Sequence, residues 1–327
     1  MKRQVLRVTS QIVALLGAVW FAGPAAHAQY PSKPIRAIVP SGVGGFGNIL
    51  GRAVTESISP ALKQPIVVEN RVGADGVIGM EACARSAPDG HTICLSHPAP
   101  VTISVFTRLK LPYDPAKDFV PVVQIAVNNT VMVVNASLPV NSLTELIQLA
   151  KTKPKAINWG SWGDASLSRM YLAWVENKTG ASFVHIPYKS PEQAQMAVIS
   201  GEVDVSFTNT RMTLEQMKAG RIKPVALIGR KGMAVLPKVP TFIDAGMELR
   251  FQPWVGVLVP AGTPRDIVLR LNREVNTVLA DPTFVERHLT SVSAEPVGGT
   301  PEEFAAYLDT ERKTLAVLMK LANVTPE

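Results

Sequence analysis

The chain is poor in the residues that most often carry covalent chemistry. Its 327 residues include two cysteines and five histidines. Cys83 and Cys94 form neither a CxxC pair nor a Cys/His metal spacing, which argues against a zinc site or a thioredoxin-like redox centre. HExxH and GxSxG are absent, so neither a zinc protease nor a nucleophile-elbow hydrolase is indicated. His27, His91, His97, His185 and His288 stand apart from any nucleophile–base spacing, and no residue is assigned a catalytic or metal-binding role. Aromatic residues make up only 6%. They are not interleaved with Lys/Arg clusters, which sets nucleic-acid binding aside. Mean hydropathy is only +0.16, too low for a multispanning membrane protein.

The N-terminus holds the clearest local signal. Lys2, Arg3 and Arg7 form a basic region, Ile12 to Phe21 is an apolar run, and Ala26-His27-Ala28 gives an A-x-A cleavage site before Gln29. This pattern predicts a cleaved secretory signal peptide over residues 1–28, too short for a membrane span. No cysteine follows the site, so no lipid anchor is expected. The mature chain is then expected in the periplasm, with 30 basic against 26 acidic residues, a net +4. That mild positive field would help collect anions. Export would permit a Cys83–Cys94 disulfide, and two buried thiols fit the pattern equally well.

What remains is rich in small and aliphatic residues and long enough for about two domains of roughly 150 residues each. Short apolar runs alternate with helical periodicity. Strands are predicted at Ile35–Val39, Pro65–Glu69, Thr92–Leu95, Val131–Val134, Ile157–Trp159, Phe183–Ile186, Val203–Phe207 and Val225–Ile228. Helices are predicted at Asn48–Leu62, Val77–Ser86, Leu143–Lys151, Ser168–Lys178 and from Ser190-Pro191 to Gly201. This alternation implies βαβ units and parallel sheet. Thr263-Pro264-Arg265-Asp266 and Thr300-Pro301-Glu302-Glu303 each read as a Thr cap, a first-turn proline and an acid three residues on.

Gly42-Val43-Gly44-Gly45-Phe46-Gly47 matches G-x-G-x-x-G between a strand and a helix, and Glu69 ends the next strand where a dinucleotide fold places its ribose-binding acid. Export, the extra Pro40-Ser41 before the first glycine, and the lack of a hydride-transfer constellation weigh against a nucleotide cofactor. A strand–glycine loop–helix junction also offers free backbone N–H groups to any anion, a carboxylate included. Asn158 to Ser166 forms a second junction of this kind, where Ser161 and Ser166 add hydroxyls and Trp162 could stack on a ligand or cover the rim. Two such loops suggest a ligand gripped from both sides of a cleft.

The motifs Tyr30-Pro-Ser-Lys-Pro-Ile-Arg36, Val67-Val-Glu-Asn-Arg71, Ala87-Pro-Asp-Gly90, Leu111-Pro-Tyr-Asp-Pro115, His185-Ile-Pro-Tyr-Lys189, Gly201-Glu-Val-Asp204 and Pro260-Ala-Gly-Thr-Pro264 are spread along the mature chain. With them the sequence resembles the substrate-binding receptors of tripartite tricarboxylate transporters, the Bug-type proteins. The resemblance implies an α/β, periplasmic-binding-protein-like (type II) fold, two α/β domains with a ligand cleft between them. Residues 29–129 and 251–327 would form one domain and residues 130–250 the other. It further implies a monomeric, non-enzymatic receptor without cofactor, which captures a small carboxylate (a di- or tricarboxylate, aromatic acid or amino acid) and passes it to membrane permease subunits. Delivery to a sensor kinase is the alternative.

The expected ligand-binding residues are Ser41, Gly42, Gly44, Gly45, Phe46, Gly47 and Asn48 on one side and Ser161, Trp162, Gly163 and Ser166 on the other, with His97, Thr208 and Asn209 as further candidates. The chain departs from the usual family loops. Ser41 replaces an aromatic and Asn48 an acid, with Asn48 still able to cap its helix. In the second loop Asp164 is added and Ala165 removes a glycine, and Asp164 is expected to point outward.

Overall fold

In a computed structural model the protein is described over residues 30–163, 165–229, 233, 235–249 and 251–326. The signal segment and Asp164 therefore lie outside the described residues. The elements run β1 (Ile35–Val39), α1 (Phe46–Leu62), β2 (Ile66–Asn70), α2 (Val77–Ala84), β3 (Thr92–Ser96), β4 (Phe119–Asn128), β5 (Thr130–Asn135), α3 (Leu143–Thr152), β6 (Asn158–Ser161), α4 (Leu167–Thr179) and β7 (Val184–Pro187). They continue with α5 (Pro191–Ser200), β8 (Val205–Asn209), α6 (Thr210–Lys218), β9 (Ile222–Ile228), β10 (Trp254–Pro260), α7 (Arg265–Leu279), β11 (Ala294–Gly298) and α8 (Pro301–Leu321).

Two sheets result, ordered β11-β4-β10-β3-β1-β2 and β7-β6-β8-β5-β9. The βαβ units are parallel as expected: β1 pairs with β2 and β3, and β6 with β7 and β8. The sheets as wholes are mixed, which corrects the parallel-sheet expectation. β10 runs antiparallel to β3 and β4, and β5 antiparallel to β8 and β9. The connecting strands cause this. The chain leaves the first sheet on β4, enters the second on β5 after a single residue, Asn129, and returns to the first on β10. Such strands arrive without a crossover helix, so they have no need to run parallel.

Strand β4 went unpredicted because Pro121 interrupts its pattern. The sheet accommodates that proline at a register shift opposite Leu258. The strand β10 is apolar and buried throughout, the signature of a central strand rather than a half-exposed one. Core residues pack on both faces of each sheet. Ile35, Leu50, Val54 and Val257 are among those of the first, and Met132, Trp159, Tyr171 and Phe207 among those of the second.

Helix α8 touches both cores. Thr300 and Glu303 close the predicted capping box at its start. Phe304 and Leu308 then pack with Trp254 and Leu258, while Leu315, Leu318 and Met319 pack with Met132 and Tyr171. At Thr263 the cap expectation fails. Helix α7 begins at Arg265 with Pro264 as its uncapped flank, and the Thr263 hydroxyl donates to the Pro260 carbonyl instead (2.7 Å). Cys83 on α2 and Cys94 on β3 form a disulfide with Cα atoms 6.2 Å apart, buried between helix and sheet.

Candidate functional site

Parallel strands point their C-terminal ends the same way, so the loops after β1, β2 and β3 gather at one edge of the first sheet. The first loop is a turn in which the Gly45 N–H donates to the Gly42 carbonyl (3.2 Å), with Gly44 at φ +85°. A positive φ at the third turn position is the demand that glycine meets. Helix α1 starts at Phe46, two residues earlier than its periodicity indicates, and Gly45 rather than Asn48 is the N-cap. The Asn48 side chain lies inside the first turn, where its Oδ1 accepts from the Gly44 N–H (3.2 Å). The cap expectation for Asn48 is thereby corrected: it braces the loop from within.

The first-turn N–H groups of a helix have no intrahelical acceptors. Two buried side-chain atoms of this loop, Ser41 Oγ and Asn48 Nδ2, also lack partners among the described residues. Gly42 and Gly44 are exposed, and a Cβ built on either would meet open space. Packing therefore does not explain their smallness. Gly76 and Gly79, by contrast, pin the loop from behind. A Cβ on Gly76 would lie 2.9 Å from the Pro40 carbonyl, and one on Gly79 would lie 2.8 Å from the Pro40 ring.

His97, just past β3, is half-buried, and its ring donates to the Pro40 carbonyl. Desolvation lowers its pKa, although that carbonyl and the charge of Asp75 pull the other way. His97 thus sits between the first loop and the loop after β2. There Ala74 and Asp75 both take left-handed conformations (φ +49° and +57°), and the Asp75 carboxylate contacts Arg108 at 3.1 Å.

The second junction forms at the C-terminal end of β6. Gly163 turns the chain at φ +94°, and Ser166 caps α4 by accepting from the Arg169 N–H (3.2 Å). Ser161 is fully buried, and its hydroxyl meets His185 Nε2 on β7 at 2.5 Å. Trp162 is partly buried against the second core. Thr208 is buried, with its hydroxyl on Thr213 (2.5 Å), and Asn209 caps α6 by accepting from the Met212 N–H (2.8 Å). The hydroxyls of Ser161 and Thr208 are therefore already engaged within their own lobe.

Loops of the first lobe, the second junction and the segment after α8 border a common cavity. Asp75, Thr107 and Arg108 from one side and Ala165, Asn323, Val324 and Thr325 from the other line a cavity of about 310 Å³. Sequence reasoning missed Asp75 and Arg108, since each is a lone charge in an irregular stretch and only the fold brings them together. Among the described residues no group of His, Cys, Asp or Glu could hold a metal ion.

Comparison with known proteins decides the family. The model of the tripartite tricarboxylate transporter family receptor matches residues 50–323. The chain belongs to this family. BugT of Bordetella pertussis is 31% identical over 307 residues, 93% of this chain and 94% of BugT. Among solved structures, Rpa4515 of R. palustris with adipate is 28% identical with a TM-score of 0.73, over 91% of this chain and all of that one. MatC of Rhodopseudomonas palustris with bound malate is 25% identical with a TM-score of 0.67, over 88% of this chain and 99% of MatC. As a member of the tripartite tricarboxylate receptors, the chain has the two-lobed α/β architecture of periplasmic binding proteins, and receptors of this family are periplasmic solute-binding proteins. Glu69, the acid that a dinucleotide reading requires, lies between the guanidinium groups of Arg71 (2.5 Å) and Arg36 (3.7 Å).

Proposed function

We propose that this protein is an exported receptor that captures a small carboxylate between its lobes, closes on it by a hinge motion, and delivers it to the membrane subunits of a tripartite tricarboxylate-type transporter. One observation carries the reading of the site. The glycine loop holds two unpartnered buried polar atoms, Ser41 Oγ and Asn48 Nδ2, beside free helix N–H groups, at the C-terminal edge of the first sheet's parallel strands. Buried donors left unmet are costly, and an anion at that position would meet them. Gly42, Gly44 and Gly163 would let the backbone approach the ligand closely, and Trp162 would cover the rim.

The carboxylate ligands of Rpa4515 and MatC support this class of ligand. The engaged carboxylate of Glu69 weighs against the nucleotide-enzyme reading, so no cofactor or catalysis is proposed. The cavity at the lobe junction, about 310 Å³, is at the small end of ligand-site sizes and suits a molecule of few heavy atoms.

The test is a thermal-shift screen of ligand-free protein against carboxylates, amino acids and nicotinamide cofactors. Binding to the native state raises the melting temperature by mass action. A shift with a carboxylate alone is expected, and a shift confined to a dinucleotide would overturn the reading. Gly42→Ala gives a second check, because a methyl group there meets no protein atom. It should leave the melting temperature of the free protein unchanged and weaken carboxylate binding. Unchanged affinity would remove the loop from the site.

A further inference from the structure

We propose that Arg108 reads a second carboxylate of the ligand, so that this receptor prefers dicarboxylates to monocarboxylates of equal length. The proposal rests on the carboxylate-receptor reading and assigns to it a residue outside the glycine loops.

Arg108 follows the short helix Ser104–Thr107 and lines the cavity between the lobes. Its side chain is about one-third exposed (31%), and its Nη2 meets Asp75 Oδ2 at 3.1 Å. Its Nε is buried and has no hydrogen-bond acceptor among the described residues. A guanidinium presents five donors in a planar fork that fits a carboxylate with two parallel bonds, and one single-point contact to Asp75 leaves most of that fork unused. Asp75 is a poor permanent partner. Its side chain is 75% exposed, and exposed pairs of this kind hold weakly.

Position supports the same role. Gly76, the residue after Asp75, lies against the Pro40 carbonyl, where a Cβ would come within 2.9 Å, so Asp75 and its partner Arg108 belong to the same edge as the glycine loop. Ala165, in the loop that would grip the ligand from the opposite lobe, lines the same cavity. A ligand with one carboxylate on the loop amides would carry its second toward Arg108, where it displaces Asp75. Asp75 then acts as a stand-in anion that keeps the guanidinium oriented before the ligand arrives.

Calorimetric titration of the purified, ligand-free protein with matched pairs, adipate with hexanoate and succinate with butyrate, tests the assignment. The wild type should prefer the dicarboxylate of at least one pair. Arg108→Gln should lower that dicarboxylate's affinity on the order of 10- to 100-fold, the range of a charged hydrogen-bonded contact, and leave the monocarboxylate unchanged. Asp75→Asn, which keeps a residue tolerant of positive φ, should raise dicarboxylate affinity several-fold. A preference that survives Arg108→Gln overturns the assignment, as does equal loss of both ligands. Should Arg108→Gln fail to fold, Asp75→Asn decides, and unchanged dicarboxylate affinity sinks the proposal. If the wild type binds both members of every pair equally, only the role of Arg108 falls. If it binds none of the four, the Arg108 assignment falls, and the carboxylate-receptor reading is decided separately by the wider thermal-shift screen.

Discussion

At the scale of single residues, the site depends on where polar groups find their partners. Ser161, Ser166, Thr208 and Asn209 are the residue types that contact carboxylates, yet each is engaged at home: Ser161 in a strand-to-strand bond, Thr208 in a strand-to-helix bond, and Ser166 and Asn209 as helix caps. Replacing Ser166 by Ala removes a cap worth about 0.5–2 kcal/mol, so any loss of affinity must be read beside the melting temperature. Gly76 is the more informative position. Its φ of +94° disfavours a side chain, and a Cβ would press on the Pro40 carbonyl at 2.9 Å. Gly76→Ala should therefore destabilise the protein by about 1–3 kcal/mol and disturb the first loop, lowering ligand affinity as well. Denaturant unfolding and titration of one variant check both effects. A stable variant with normal binding would show that the loop does not depend on this contact.

At the scale of elements, α8 carries a buried acid. Glu311 is almost wholly inaccessible, and the Trp254 indole N–H donates to both its oxygens (2.8 and 2.9 Å) while the Tyr307 hydroxyl lies at 3.2 Å. Burial pushes its pKa up to about 7, against the pull of hydrogen bonds from Trp254, Thr102 and Tyr307 and the charge of Arg312. The folded value lies above the ordinary 4.5, so the folded state holds the proton more tightly than the unfolded one. The stability this contributes is complete below about pH 4.5 and is lost as pH rises through about 7. Glu311→Gln should abolish that slope. The melting temperature of the wild type should fall relative to the variant between pH 5 and 7, and parallel curves would show that Glu311 does not titrate there. The capping box of this helix was legible in the chain, since all its parts are local. The acid's indole partner was not, because Trp254 stands 57 residues away.

For the whole molecule, the joints between the lobes lie close together. Asn128 N–H donates to the Pro253 carbonyl (2.8 Å), and Asn129 donates to the Ser293 carbonyl (2.9 Å) and to Glu295 (2.7 Å). The outgoing and returning segments are thus bonded to each other, and α8 spans the two cores as a third connection. A hinge at this line would let the far edges move most. Saturating carboxylate should reduce the radius of gyration in small-angle scattering, as expected if ligand selects a closed form. An unchanged radius despite binding would favour a cleft that is closed already.

Local order was written in the chain. The alternation of apolar runs with helical periodicity, the glycine junctions and the capping residues depend on neighbours within a few positions, and they indicated the parallel units and the strand-end loops. Strands β4 and β10 were not legible, because a proline masks one and a fully buried strand has no alternating face. Tertiary structure alone decided that Ser161 and Thr208 spend their hydroxyls inside the second lobe. It alone brought Asp75 to Arg108 at the cavity and carried α8 across both cores. Each of these is a contact between residues distant in sequence or a choice among competing partners. Such choices follow from which surfaces the packed sheets bury, a property that no single segment contains.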